Sequence, residues 1–216
     1  MAAGAGAGAY DGRFGSGRIC LDLVATGTGP SGPCELLSGP GPLAAWLVAA
    51  GLVPCGTVQA DDGWLTRFLR LRADIGRLLT AELEGGRDDA ALDRVNALAA
   101  GAPPGLRAVR AEGGGLTRAL NAPPGCGALL AAVARDCVDL LTDPAARAAL
   151  RRCEGDTCRR LYLDTSRGHR RRWCSSEICG NRERVARHRR RAQAVEAGSR
   201  REEAPGETAE KNIERD

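Results

Sequence analysis

Two closely spaced cysteine pairs near the end of the chain restrict its fold more than any other sequence feature. Four residues separate Cys153 from Cys158, four separate Cys174 from Cys179, and fifteen lie between the two pairs. Four thiolates spaced in this way can form a tetrahedral cage, and Zn²⁺ is the usual ion in such a cage. The spacing therefore predicts one structural zinc ion held by all four cysteines.

Disulfides and a catalytic zinc ion are the alternatives to a structural ion. Residues 1–9 are rich in glycine and alanine and lack the basic and apolar regions of a secretory leader. We therefore expect a reducing, cytoplasmic location, where paired cysteines favour metal over disulfides. Catalytic zinc sites usually leave one coordination position to water, whereas four cysteines close the shell. The structural ion is the leading interpretation, and both alternatives stay open at this stage.

The segment that contains the cysteines is also the most basic part of the chain. Residues 151–191 contain fourteen arginines and five acidic residues, a formal charge of +9, whereas residues 1–150 carry −2 and residues 192–216 carry −3. A small cationic module folded around a metal ion is typical of proteins that bind nucleic acid. The charge pattern thus predicts a nucleic-acid interface confined to this segment.

The arginines of this segment fall into two groups, one before Cys174 and one on a predicted helix over residues 181–196. On that helix, Val185, His188, Ala192 and Val195 share one face, which we expect to pack on the module. The other face carries Arg184, Arg187, Arg190 and Arg191. A solvated charged face is the alternative, but like charges at this spacing repel unless an anion screens them. The predicted nucleic-acid-binding residues are Arg170, Arg171, Arg172, Arg182, Arg184, Arg187, Arg190 and Arg191.

The zinc module is predicted to resemble a treble clef. The first cysteine pair forms a knuckle, Leu161–Asp164 and Arg171–Trp173 form two strands joined by a turn, and the second pair begins the last helix. Trp173 is expected to be the main packing residue, with Tyr162 as its partner. So short a segment without a large apolar core needs a metal ion to fold.

The remainder is predicted to be a mostly helical domain. Apolar residues recur at helical spacing, between Asp, Gly and Pro boundary residues, over 43–52, 61–84, 88–100 and 127–141. Residues 106–120 contain three consecutive glycines between two short segments and predict a hairpin, and the alternation over Arg18–Val24 predicts a strand. The fold class is α+β, mostly helical: a helical N-terminal domain with a short strand and a hairpin, followed by the small zinc module.

The cysteine-rich segment resembles the CGNR zinc finger. The likeness rests on the two cysteine pairs, on Leu161–Arg167, on Arg170–Cys174 and on the tetrapeptide Cys179-Gly180-Asn181-Arg182. It implies a zinc-binding module at about 150–197.

A second resemblance lies upstream of the zinc module. Gly17–Val24 and Leu43–Leu52 resemble the start of the ABATE domain, although the Asn-Thr pair found in many members reads Ala25-Thr26 here. The resemblance implies that residues 17–145 form a domain of a stress-induced transcription regulator. We expect 1–16 and 198–216 to be disordered, because neither has the patterning of a helix or strand.

These features together predict a cytoplasmic transcription regulator that binds DNA and is not an enzyme. The chain has no Ser/His/Asp set, no phosphate-binding loop and no apolar stretch of membrane-spanning length. An RNA-binding zinc protein and a protein-interaction module are the alternatives. The N-terminal domain is the expected place for a small-molecule effector, and the stiff linker at about 143–152 predicts that the two parts dock.

Overall fold

The computed structural model describes residues 16–29 and 31–202, with side chains to residue 193. Its elements, in chain order, are α1 (Ile19–Ala25), β1 (Thr28–Gly29), β2 (Gly32–Pro33), α2 (Pro40–Ala49), α3 (Asp62–Leu83), α4 (Asp89–Ala99), β3 (Leu106–Arg110), β4 (Leu116–Leu120), α5 (Cys126–Thr142), α6 (Pro144–Ala149), β5 (Leu150–Arg152), β6 (Leu161–Leu163), a π-helical turn (Ser176–Gly180) and α7 (Asn181–Glu202). The predicted α+β, mostly helical class is confirmed. Within the described residues, no helix is both long and apolar enough to span a bilayer.

Four helices, α1, α3, α4 and α5, pack against one another and enclose the main core, and α2 lies against α3. Trp46 of α2 meets Phe68 of α3 edge to face, with 6.1 Å between ring centroids. Several helices begin where the local sequence supplies an N-terminal cap, and α3 is an example. The Asp61 carboxylate accepts from the backbone N–H of Trp64 at 2.8 Å, which caps α3 and confirms the predicted boundary.

The predicted strand over Arg18–Val24 is wrong, because Ile19–Ala25 forms helix α1. Cys20, Leu21 and Leu23 are all buried, since α1 lies between α3 and α5 and meets apolar side chains on more than one face. A short apolar run enclosed on several sides loses the periodicity that separates a helix from a strand.

The predicted hairpin is confirmed. β3 and β4 are antiparallel, with Leu106 opposite Leu120 and Arg110 opposite Leu116. Gly114 has a φ of +81°, a conformation that glycine adopts without strain, and it closes the turn between the strands. The strands pack mainly on each other, so the hairpin extends from the helical domain.

The zinc module joins the helical domain through the strand pair β5–β6. Leu150, Leu161 and Leu163 of this pair belong to the same buried cluster as the helices. Leu163 also donates its backbone N–H to the carbonyl of Ser16 at 2.9 Å, so Ser16, expected to be disordered, is buried and bonded. This packing supports the expectation that the two parts dock.

One predicted strand pairing is also wrong. β6 pairs with β5, which precedes the first cysteine, and Arg171–Trp173 is not a strand. The first knuckle therefore connects the two paired strands. Arg172 instead accepts one backbone bond, from the N–H of Glu154 at 2.9 Å, and this bond holds its segment beside the knuckle.

The last helix is longer than predicted. α7 continues to Glu202, whereas the prediction ended at 196 and placed disorder from 198. High arginine, glutamate and alanine content sustains a helix without an apolar core beneath it. The rest of the two expected disordered segments, 1–15 and 203–216, lies outside the described residues.

Candidate metal centre and nucleic-acid interface

The four predicted zinc ligands converge on one point. The sulfur atoms of Cys153, Cys158, Cys174 and Cys179 all lie within 4.8 Å of one another. The Cys174 sulfur is 3.7 Å from that of Cys158 and 3.7 Å from that of Cys179. A tetrahedron with Zn–S bonds of about 2.3 Å has edges of about 3.8 Å, whereas a disulfide needs about 2.05 Å. The spacing fits one structural zinc ion, and all four cysteines are free of disulfides in the structure.

Local backbone geometry brings the sulfurs together. In the first knuckle the N–H of Cys158 donates to the carbonyl of Gly155 at 3.1 Å, which closes the loop. The N–H of Cys174 donates to the Cys153 sulfur at 3.4 Å, so it connects the two pairs. Ser175 then accepts from the N–H of Ile178 and starts the turn that carries Cys179. Each pair is therefore positioned by a hydrogen bond within its own loop, and the bond from Cys174 to Cys153 holds the two pairs together.

The electrostatics of the cluster favour a bound cation. Three of the sulfurs are on buried residues, and Cys174 is half-buried. Hydrogen bonds from Cys158 and Cys174 lower the pKa of the Cys153 thiol, and donation to Cys153 and Cys158 raises the pKa of Cys174. The thiols therefore share protons instead of ionising together. A divalent ion displaces these protons and compensates the crowded negative charge.

Tyr162 is the most buried aromatic residue of the module, and Trp173 is only half-buried. The Tyr162 hydroxyl donates to the carbonyl of Arg171 at 2.6 Å, and burial raises its pKa to about 12. The expected roles of Tyr162 and Trp173 are thus reversed, because the tyrosine lies on β6 beneath the knuckle. Trp173 packs at the edge of the cysteine cluster.

Asp164 is a buried carboxylate that the sequence interpretation did not select. It accepts from the backbone N–H and hydroxyl of Ser166 and from the backbone N–H of Arg171. These bonds lower its pKa and fold the turn between β6 and the second cysteine pair. The Asp-Thr-Ser sequence after a strand was a turn signal that could have identified it.

The three arginines before Cys174 have different surroundings. Arg171 is turned inward: its guanidinium donates to the carbonyls of Trp173 and Cys174 and lies over the Tyr162 ring. Arg172 pairs with Glu154 at 2.5 Å. Arg170 is exposed and makes no hydrogen bond or ion pair with a described residue. Of this group, Arg170 has the most accessible cationic group.

Several helix arginines are held by nearby groups. Arg182 donates to the Ser31 hydroxyl of the helical domain at 3.2 Å, and Arg184 donates to the Ser176 carbonyl at 3.4 Å. Arg190 pairs with Glu183 at 2.7 Å. The first contact ties the start of α7 to the helical domain, the second ties it to the π-helical turn, and the third lies within the helix.

Beyond the first two turns, α7 extends away from the body of the protein. All described side chains from residue 187 to 193 are exposed. They include Arg187 and Arg191, two predicted contact residues, and Arg189, which lies on the opposite side of the helix and was not among the predicted residues. None of the three pairs with a described residue. Arginine therefore surrounds this part of the helix.

The prediction that an apolar face of α7 packs on the module is wrong. Val185 is 43% exposed, and both His188 and Ala192 are exposed. Glu183 and Ala186 are the half-buried residues instead, because the helix passes the edge of a module too small to cover it. The side chain of Val195 lies outside the described residues.

Fold and site together define a two-part zinc-binding protein, in which a helical domain carries a structural four-cysteine module. The model of the ABATE family, described as "Putative stress-induced transcription regulator", matches residues 17–144, more than half of the chain. The model of the CGNR zinc finger matches residues 149–192. The chain belongs to the ABATE family and carries a CGNR zinc finger after the ABATE domain, as both resemblances implied. A search among curated proteins finds no match.

Proposed function

We propose that this protein is a cytoplasmic transcription regulator that binds duplex DNA through its zinc module. The observation that carries the proposal is the extended part of α7, whose exposed arginines Arg187, Arg189 and Arg191 lie on both sides of the helix. The major groove of B-DNA admits one α-helix, with phosphates on both walls. A helix with arginine all around it can contact both walls at once.

Zinc contributes to this function by fixing the orientation of helix α7 on the module. The ion holds Cys179, two residues before α7 begins at Asn181, and thereby sets the direction in which the helix leaves the module. Such a site contributes folding energy and no open coordination position for chemistry. Both matched families are named for regulation or zinc binding and not for an enzyme activity.

Duplex DNA is preferred over RNA for a geometric reason. The deep, narrow major groove of A-form RNA does not admit side chains for base reading, whereas the B-form groove takes a whole helix. Arg170, exposed on the turn before the second cysteine pair, supplies a further cation for a phosphate. The inward Arg171 is not part of the proposed contact set.

The experiment measures the salt dependence of DNA affinity. Replacing Arg187, Arg189 and Arg191 with alanine should reduce the slope of log K against log salt by about 2–3, since each phosphate contact contributes about 0.9. Arg135→Ala is the matched control, because Arg135 is an exposed arginine on the helical domain. An unchanged slope would show that the helix faces something other than DNA. Tighter binding to structured RNA in competition would favour the RNA alternative.

A further inference from the structure

The hairpin β3–β4 carries the two most exposed leucines of the described residues. Leu106 is 53% exposed and Leu116 is 68% exposed. In an antiparallel pair, residues directly opposite each other share a face, and alternate residues along a strand do so too. Leu106, Ala108 and Arg110 of β3 therefore share one face with their partners Leu120, Arg118 and Leu116 of β4.

The same face is cationic. Among the described residues, Arg110 bonds only the backbone carbonyl of Gly114, and Arg118 pairs with none. Neither strand contains an acidic residue. Uncompensated arginines beside exposed leucines are typical of protein interfaces, where arginine and apolar groups are buried together.

In the part of the chain that the structure describes, neither outer edge of this hairpin has a neighbouring strand. Its sheet has two strands only, so one side of β4 has no neighbouring strand among the described residues. An open edge presents backbone donors and acceptors that another chain can pair with. We propose that β4 receives an extended, acidic segment of a partner protein as a third strand.

The register predicts the chemistry of that segment. A strand added beside β4 places one residue opposite Leu116 and, two positions further, one residue opposite Arg118. At the first position an aliphatic side chain can pack on Leu116, and at the second a carboxylate can pair with Arg118. Arg110, diagonal to Arg118 on the same face, lies two strands from the added segment and contributes a more distant positive charge. The partner therefore carries an Asp or Glu two positions from a Val, Ile or Leu.

DNA and a second copy of the chain fit this surface less well. The tip of the hairpin carries Glu112, whose carboxylate would be repelled by DNA phosphates. A second copy added symmetrically along β4 about its middle residue would place Arg118 opposite its own equivalent. Charge complementarity thus favours an acidic protein segment.

The test selects random displayed peptides of about twelve residues on the full-length protein. We expect the recovered peptides to share an acidic residue two positions from an aliphatic one. A synthetic peptide of the recovered sequence should lose about tenfold or more in affinity for the Arg110→Glu/Arg118→Glu variant. The Leu106→Ser/Leu116→Ser variant should show a similar loss. Arg107→Glu is the matched control, because Arg107 lies on the opposite face, and we expect a change of less than about twofold.

Four results would overturn the proposal. They are a failure to recover any peptide, recovery of peptides without the acidic pattern, affinity unaffected by both double variants, and equal losses for the Arg107 control. Loss of DNA affinity in the hairpin variants, as large as that from the helix arginines, would assign the face to DNA instead. A dimer that these variants convert to a monomer in sedimentation would assign it to a second copy.

Discussion

Asp164 shows how a single residue can organise a zinc module without touching the metal. Its two oxygens accept three hydrogen bonds, from Ser166 twice and from Arg171 once, across the turn that leads to Cys174. A buried carboxylate with several donors stays ionised, and removing its charge leaves those donors poorly satisfied. The turn therefore depends on the ionised form of Asp164.

We predict that Asp164→Asn lowers the melting temperature of the zinc-loaded protein by several degrees near neutral pH. The folded-state pKa of Asp164 lies below the ordinary 3.8, so its stabilisation is fully present above 3.8 and is lost as pH falls through the folded pKa. The difference between wild type and variant should accordingly shrink in acid. Thermal melts across pH measure it, with bound zinc assayed in each sample because protons compete with the ion for the thiolates. A pH-independent difference between samples of equal zinc content would contradict the role of the charge.

Cys174 is the ligand that connects the two pairs, because its sulfur lies 3.7 Å from both Cys158 and Cys179. Cys174→Ser should reduce bound zinc from about one equivalent to a weakly held fraction, since a hydroxyl replaces a thiolate ligand. Metal analysis after dialysis is the measurement. Cys34→Ser is the control, because Cys34 is an exposed cysteine outside the cluster, and it should retain the full equivalent. Equal zinc content in the two variants would be the contrary result.

Among the elements, β6 couples the two parts of the molecule. Its three residues alternate between two environments: Tyr162 faces the cysteine cluster, whereas Leu161 and Leu163 enter the core of the helical domain. The period of two in a strand allows one short element to bury side chains on both sides. Helix α7 behaves differently, because only its first turns have a surface to pack on.

We predict that Leu163→Ala costs about 2 kcal/mol or more in unfolding free energy, since it removes buried methyl groups and leaves a cavity. Leu116→Ala is the matched control, because Leu116 is 68% exposed, and it should cost about 0.5 kcal/mol or less. Denaturant unfolding monitored by tryptophan fluorescence gives both values. Similar costs for the two leucines would show that β6 does not join the helical core.

At the scale of the whole molecule, the segments that match the two families share one hydrophobic core. The buried cluster of the helices includes Leu150, Leu161 and Leu163 from the zinc segment. Arg152 also pairs with Glu84 at the end of α3 at 2.9 Å. Residues that share one core unfold together, so we expect zinc binding to stabilise the helical domain as well.

Cleavage at two positions tests this coupling. A protease site after residue 146, at the junction of the two parts, should lower the melting temperature of the helical domain, because cleavage frees leucines that complete its core. The same site placed in the hairpin tip, at Gly113–Gly115, is the control, because that tip is exposed. Calorimetry with and without a zinc chelator should then show that chelation destabilises the intact helical domain and has no effect after cleavage at 146. Identical melting of both cleaved forms would mean that the domains are independent.

Local sequence patterns determined most of the secondary structure and the metal centre of this protein. The cysteine spacing, the Asp61 cap, the helical apolar stripes and the triple glycine act within a few residues, so they can be recognised without the fold. Tertiary structure alone decided the helical state of Ile19–Ala25, the pairing of β6 with β5 and the exposed faces of α7. Each depends on which distant surface lies beside the segment, because burial on several sides, strand partners and the edge of a small module are not encoded by local periodicity. The division of the arginines between inward and outward groups has the same origin, since Arg171 and Arg187 differ only in what surrounds them.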